Sequence, residues 1–124
     1  MRPRIGREIG RGAEGVVYDN LDEPDWVVKE YHKAITSPFQ PRNEFQNLAR
    51  ARAIRPDNVV IARAPADPRQ GWIVKEKVMP TDVPEDQAQK VALLLAFTSI
   101  PDAGGNLMWG TTASNPTIRW ILIE

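Results

Sequence analysis

Short β-branched and aromatic runs, parted by polar turns, fill the first third of the chain, and each reads as a strand. The first runs from about Arg4 to Ile9, the second from Gly15 to Asp19 and the third from Trp26 to Tyr31. A glycine turn parts the first two, and Asn20-Leu21-Asp22-Glu23-Pro24-Asp25 parts the second from the third, which predicts an antiparallel meander. Such a sheet needs a cover for its apolar face. After a loop with two prolines, Thr36 to Pro41, the period changes. Phe45, Leu48 and Ala49 recur at helical spacing within Arg42 to Ile54, and Pro56 ends the run.

Two further strands are predicted, Asn58 to Arg63 and Trp72 to Val78, joined by the turn-rich segment Ala64 to Gly71. Thr81-Asp82-Val83-Pro84-Glu85 then opens a second helix that runs to about Ser99. Its stretch Val91 to Phe97 is apolar on every face, which predicts a helix buried between layers. Beyond it, Asn106 to Trp109 pairs with Thr117 to Ile123 across a turn from Gly110 to Pro116. The predicted fold class is α+β: a five-stranded antiparallel sheet with one covering helix, followed by a buried helix and a short β-hairpin.

Composition narrows the function classes. The chain has 124 residues, enough for one domain with a real core. Sixteen basic residues balance sixteen acidic ones, so neither a nucleic acid nor a membrane surface is an expected partner. With no cysteine there is no disulfide scaffold, thiolate metal site or thiol nucleophile. Met-Arg-Pro-Arg has no apolar run behind it, which argues against a secretory signal, and Val91 to Phe97 is too short to span a bilayer. A cytoplasmic protein is the expectation.

The chemistry concentrates near the start. Gly10, Gly12 and Gly15 stand in the spacing G-x-G-x-x-G, which alone says little. A dinucleotide-binding loop opens a helix after its third glycine, whereas Val16-Val17-Tyr18 reads as a strand, so this turn joins two strands. A glycine-rich hairpin can lie close over a polyphosphate because its backbone amides approach without Cβ interference. Lys29, on the next strand, can reach the same phosphates. The plain alternative is a glycine-relieved hairpin with a surface lysine.

This order of parts resembles the small lobe of protein kinases. Gly10-x-Gly12-x-x-Gly15-x-Val17 is similar to the kinase glycine-rich loop, and Val27-Val28-Lys29 to the V-A-I-K strand with its phosphate-binding lysine. In that family the following helix carries a glutamate that pairs with the lysine, and the matching residue is Glu44. Read by itself, Glu44 is a carboxylate in the first turn of a helix, where the macrodipole favours it. The segment from Ile73 to Pro80 resembles the kinase hinge, which implies cofactor-binding positions at Glu76 and Val78. Lys75 would then line the back of the adenine pocket with its stem and reach an acidic partner with its ammonium. An alternating strand with Lys75 and Lys77 on its wet face fits equally.

The last third resembles a large lobe cut short. Ile100-Pro101-Asp102-Ala103-Gly104-Gly105-Asn106 is similar to the catalytic loop, in which an aspartate takes the substrate proton and an asparagine holds Mg²⁺. The spacing departs from the pattern: Asn106 follows Asp102 by four positions where the family has five, and no histidine precedes the aspartate. Glu124 is the counterpart of the magnesium-binding D-F-G aspartate, one methylene longer and with no Phe-Gly behind it; as a plain residue it is a polar chain end. The resemblance thus implies a single minimal kinase-like domain, small-lobe-like over 1–79 and large-lobe-like over 80–124, with no activation segment, no A-P-E and no peptide platform. It implies ATP and Mg²⁺ as cofactors, a protein hydroxyl as acceptor, Lys29, Glu44 and Asp102 as catalytic residues, and Asn106 and Glu124 as metal ligands. In economy of size the chain is similar to small kinase effectors that bacterial pathogens deliver into a host cytoplasm. A pseudokinase-like module acting by contact is the alternative; a small-molecule kinase of the aminoglycoside-phosphotransferase branch fits less well, because no acidic substrate pocket remains.

Overall fold

The computed structural model describes residues 2–32, 40–65, 67 and 70–124. Thr36 to Phe39 of the loop expected at Thr36 to Pro41, and part of the connection expected between Ala64 and Gly71, lie outside the described residues, while Gln40 and Pro41 open a helix instead. Two compact units emerge, one formed by Met1–Phe45 with Ala62–Lys77 and the other by Gln46–Ile61 with Val78–Glu124.

In the first unit the predicted meander is present: β1 (Ile5–Arg11), β2 (Gly15–Asn20) and β3 (Trp26–Tyr31) pair antiparallel in sequence. β4 (Ala62–Arg63) and β5 (Trp72–Glu76) complete a five-stranded sheet in the order β1-β2-β3-β5-β4. β-branched residues make its interior, with Val16, Val27, Val28, Ile73 and Val74 all buried. The register decides which polar side chains join them. Val17 lies opposite Lys29, Lys29 opposite Ile73, and Val27 opposite Lys75. Successive side chains alternate between faces, so Lys29, Tyr31 and Lys75 emerge on one side of the sheet.

Helix α1 spans Gln40–Ile54, starting before the apolar spacing begins. Glu44 therefore sits beyond the first turn, correcting the expectation that it stands in that turn, where the helix dipole favours a carboxylate. The strand expected over Asn58 to Arg63 is also corrected. Pro56–Asn58 forms a 3₁₀ turn, Val60 donates its N–H to the Leu122 carbonyl at 3.0 Å, and only Ala62–Arg63 pairs with β5. The apolar run at 58–63 is thus shared between two pairings, which periodicity over six residues does not reveal.

The second unit is built on a three-stranded sheet of β6 (Met79–Pro80), β7 (Leu107–Thr112) and β8 (Asn115–Leu122), in the order β6-β7-β8. Met79 and Pro80, read in the sequence as the end of the hinge-like segment, form a strand of their own. Gly110 makes that pairing possible: a Cβ there would lie 2.1 Å from the Met79 carbonyl oxygen. The hairpin turns at Ala113-Ser114, more tightly than expected, with Pro116 inside β8.

The second helix, α2 (Gln87–Ala96), is shorter than the sequence suggests. Asp86 caps it, accepting the Gln89 N–H at 2.9 Å, so helical geometry starts after Pro84 and Glu85. Trp120 of β8 ties it down, donating its indole N–H to the Asp86 carbonyl at 2.9 Å and its backbone N–H to Gln89 at 2.7 Å. The expectation of a helix buried all round is corrected here. Leu93 and the adjoining Phe97 are buried, while Val91, Leu94 and Leu95 are exposed, Leu95 at 73%. A run apolar on every face has no preferred side, and β8 is the strand against which α2 packs.

Candidate functional site

Glu44 is the centre of the charged cluster in the first unit. Its Oε1 takes the Lys29 ammonium at 2.7 Å and the Tyr31 hydroxyl in a short hydrogen bond, and its Oε2 lies 2.8 Å from the Lys75 ammonium. The three charged side chains are nearly out of water, with exposures of 3% for Glu44, 5% for Lys29 and 6% for Lys75. Lys29 also sits over the Tyr31 ring, 4.8 Å from its centroid. β3 places Lys29 and Tyr31 two residues apart on one face, and β5 sets Lys75 diagonally beside them.

Two opposed forces act on the Glu44 carboxyl. Burial, the larger single influence, pushes its pKa up; the ammonium groups of Lys75 and then Lys29, with their hydrogen bonds, outweigh it and hold the group below its ordinary 4.5. The carboxylate is therefore ionised at neutral pH. An ionised carboxylate held by a tyrosine and two strand lysines can fix the position of an ammonium group beside a glycine turn.

That turn spans the end of β1 and the start of β2, closed by a 2.9 Å hydrogen bond from the Gly12 N–H to the Gly15 carbonyl. Its three glycines differ in their reasons. A Cβ on Gly15 would lie 2.1 Å from the Glu30 carbonyl oxygen, so this glycine is required by the approach of β2 to β3. A Cβ on Gly12 would meet nothing within 4 Å, and one on Gly10 only Val17, at 4.0 Å. Packing thus explains Gly15 and leaves open space at Gly12. Gly15→Ala is expected to lose about 1–3 kcal/mol of stability, the usual cost of overpacking. Gly12→Ala should stay within about 0.5 kcal/mol of the parent. Chemical denaturation of both variants checks the contrast, and a Gly15→Ala protein as stable as the parent would refute the steric account.

At the end of β5, Glu76 is buried in the first unit, opposite Trp26 in the ladder. Lys77 follows, its N–H on the Asp25 carbonyl at 2.9 Å and its ammonium on Asp19 at 2.9 Å. Lys75 is buried, which corrects the wet-face alternative for that residue, while Lys77 is half-buried and paired with Asp19. Val78 is half-buried and belongs to the second unit.

Within the second unit, the backbone carries Asp102, Asn106 and Glu124 past one end of the β7–β8 hairpin. Ile123 donates its N–H to the Asn106 carbonyl at 3.0 Å, extending the ladder by one step and setting Glu124 next in line. Asp102 is exposed and has φ 55° and ψ 22°, the one left-handed non-glycine residue among those described. Asp is among the side chains that tolerate this region, and such outliers gather at functional loops. The Asn106 side-chain amide donates to the Asp102 carbonyl at 2.8 Å and holds the loop in that shape.

The sequence left Lys75 open between a wet-face lysine and a pocket lysine reaching an acidic partner, and did not single out Tyr31. Both flank Glu44. The available signal was parity: Tyr31 is two positions from Lys29 on the same strand and so shares its face. For Lys75 no local signal sufficed, because its face depends on its pairing with Val27, far away in the chain.

No protein-family model matches the sequence, and no curated protein matches it. Among solved structures the chain is similar to the Rio2 kinase of Chaetomium thermophilum, crystallised as an ADP/Mg²⁺-phosphoaspartate complex. The superposition has a TM-score of 0.54 at 14% identity and covers 97% of this chain but 47% of that one, so the chain spans less than half of the kinase's length. At this identity the likeness shows the fold: a kinase-like α+β arrangement, with a sheet consistent with a kinase small lobe.

Proposed function

We propose that this chain is a minimal protein-kinase-like phosphotransferase that binds ATP with Mg²⁺ and passes the γ-phosphate to a protein hydroxyl. The observation that carries the reading is the buried Lys29–Glu44 pair at 2.7 Å, on the strand next to a glycine turn. The kinase-like fold supports it, and the presence of ADP and Mg²⁺ in the Rio2 kinase complex supports the choice of cofactors. The residues present fit a nucleotide: Gly12 leaves open space where a phosphate can approach backbone amides, and Lys29 is a cation on the neighbouring strand. They also fit a magnesium ion in kind, since an amide oxygen and a carboxylate are hard donors.

When bound, ATP with Mg²⁺ supplies the transferable phosphoryl group and neutralises part of its charge. Gly10, Gly12, Gly15 and Val17 would cover the nucleotide, with the backbone at Glu76 and Val78 taking its base. Lys29 would draw negative charge from the phosphates, and Glu44, fixed by Lys75 and Tyr31, would keep that ammonium in place. Asp102 would accept the proton of the acceptor hydroxyl, and Asn106 and Glu124 would hold the metal. Phosphoryl transfer depends mainly on positioning and charge, so few groups suffice chemically.

No described helix is long and apolar enough to cross a membrane, in keeping with action in the cytoplasm or, for an effector, in a host cytoplasm.

One observation favours the second reading, a pseudokinase-like module that binds nucleotide and acts by contact. The loop that carries Asp102 and Asn106 is one residue shorter than the kinase pattern, and Asp102 takes a left-handed shape that the Asn106 amide nitrogen holds, leaving only the Asn106 Oδ1 for a metal. Under either reading ATP with Mg²⁺ raises the melting temperature by linkage. Transfer of label from γ-labelled ATP to the protein itself or a generic substrate occurs only under the first. Asp102→Asn, which keeps a side chain tolerant of positive φ, should abolish labelling while ATP still raises the melting temperature. An Asp102→Asn protein that labels at the parent rate removes Asp102 as the base.

A further inference from the structure

The chain's one histidine, His32, reaches the glycine turn at two points. The backbone N–H of His32 donates to the Glu14 carbonyl at 2.8 Å, and its ring Nε2 lies 3.0 Å from the Gly12 carbonyl oxygen. A carbonyl only accepts, so Nε2 carries the proton in this bond, in the neutral ring or the imidazolium alike. From the first residue of α1, Gln40 donates its amide to the Glu14 carboxylate at 3.0 Å. The turn from Gly12 to Gly15 is thus closed on itself and fastened at its flank by the end of β3 and the start of α1.

We infer that His32 is a positioning residue for the phosphate-covering turn, a latch that holds the backbone of Gly12 in its binding shape before the nucleotide arrives. The inference rests on the nucleotide-clamp reading for its ligand. The physical need comes from the glycines themselves. They give the turn close approach at the cost of conformational freedom, and a free turn would have to be ordered at each binding event. A hydrogen bond from an adjacent strand removes part of that cost in advance, and the gain appears as affinity. The bond lies beside the turn and involves the Gly12 carbonyl, leaving open the side on which an added Cβ at Gly12 would meet nothing within 4 Å.

The test uses the full chain with ATP and Mg²⁺ as the probe, titrated by calorimetry, with amide hydrogen exchange followed in the protein without nucleotide. His32→Ala is expected to weaken ATP binding roughly three- to tenfold, the scale of one hydrogen bond. It should also speed exchange of the Gly12 and His32 amides. His32→Gln, whose amide nitrogen can reach the same carbonyl, should restore both, a recovery that a merely structural role for the ring would not produce. If His32→Ala does not fold, His32→Leu, which fills the ring's space without a donor, takes its place. Parent-like affinity in the donorless variant overturns the inference, as does a His32→Gln protein that binds no better than it. If the parent protein itself does not bind ATP, the clamp reading fails on its own. The latch is then judged by exchange alone: faster exchange in the donorless variant with recovery in His32→Gln sustains it, and unchanged exchange overturns it.

Discussion

Replacing Glu44 with glutamine is expected to lower stability by about 3–5 kcal/mol, the penalty for removing one member of a buried ion cluster. The variant keeps the shape and loses the charge. Two ammonium groups, each within 2.8 Å of the carboxylate in the parent, would then share a neutral amide that has one accepting oxygen. Urea denaturation of parent and variant measures the loss, and a change below about 1 kcal/mol would place the cluster in the solvated class of ion pairs instead. The acid limb offers a second reading of the same group. Because the folded pKa lies below the ordinary 4.5, the contribution of Glu44 is fully present at pH values above 4.5 and is lost as the pH falls through the depressed folded value. Stability should therefore fall with acid more steeply in the parent than in Glu44→Gln.

Lys29→Met is expected to separate function from folding. Methionine keeps much of the stem volume, and Glu44 retains Lys75 at 2.8 Å and the Tyr31 hydroxyl, so the carboxylate is not abandoned. The stability loss should be smaller than for Glu44→Gln. Phosphotransfer should instead fall by on the order of a hundredfold or more, the scale on which a preorganised charge-stabilising donor is missed. Label transfer from γ-labelled ATP measures the first effect and urea denaturation the second. Labelling that persists at the parent level would remove Lys29 from the role assigned to it. A stability loss equal to that of Glu44→Gln would show that Lys75 and Tyr31 do not hold the carboxylate by themselves.

Much of the first unit was legible because its signals are local. The runs around Val16, Val27 and Ile73 carry β-branched residues between turn formers, and the helix that leaves this unit carries helical spacing at Phe45, Leu48 and Ala49, so strand, strand, helix and strand follow in the observed order. The Lys29–Glu44 pairing could be anticipated once a lysine strand was followed by a covering helix. The second unit was less legible. Two residues of β6 are too few for any periodicity, and the α2 run, apolar all round, carries no phase.

By itself, then, the sequence determined the succession of elements, the glycine turn and the candidate charged groups, because each depends on neighbours within a few residues. Tertiary structure decided that Lys75 is a buried partner of Glu44, that Gly15 is required by packing while Gly12 is not, and that α2 buries Leu93 while leaving Leu95 in water. Face and burial depend on register between strands distant in the chain, and a shift of one residue would turn Lys75 to the other side of the sheet.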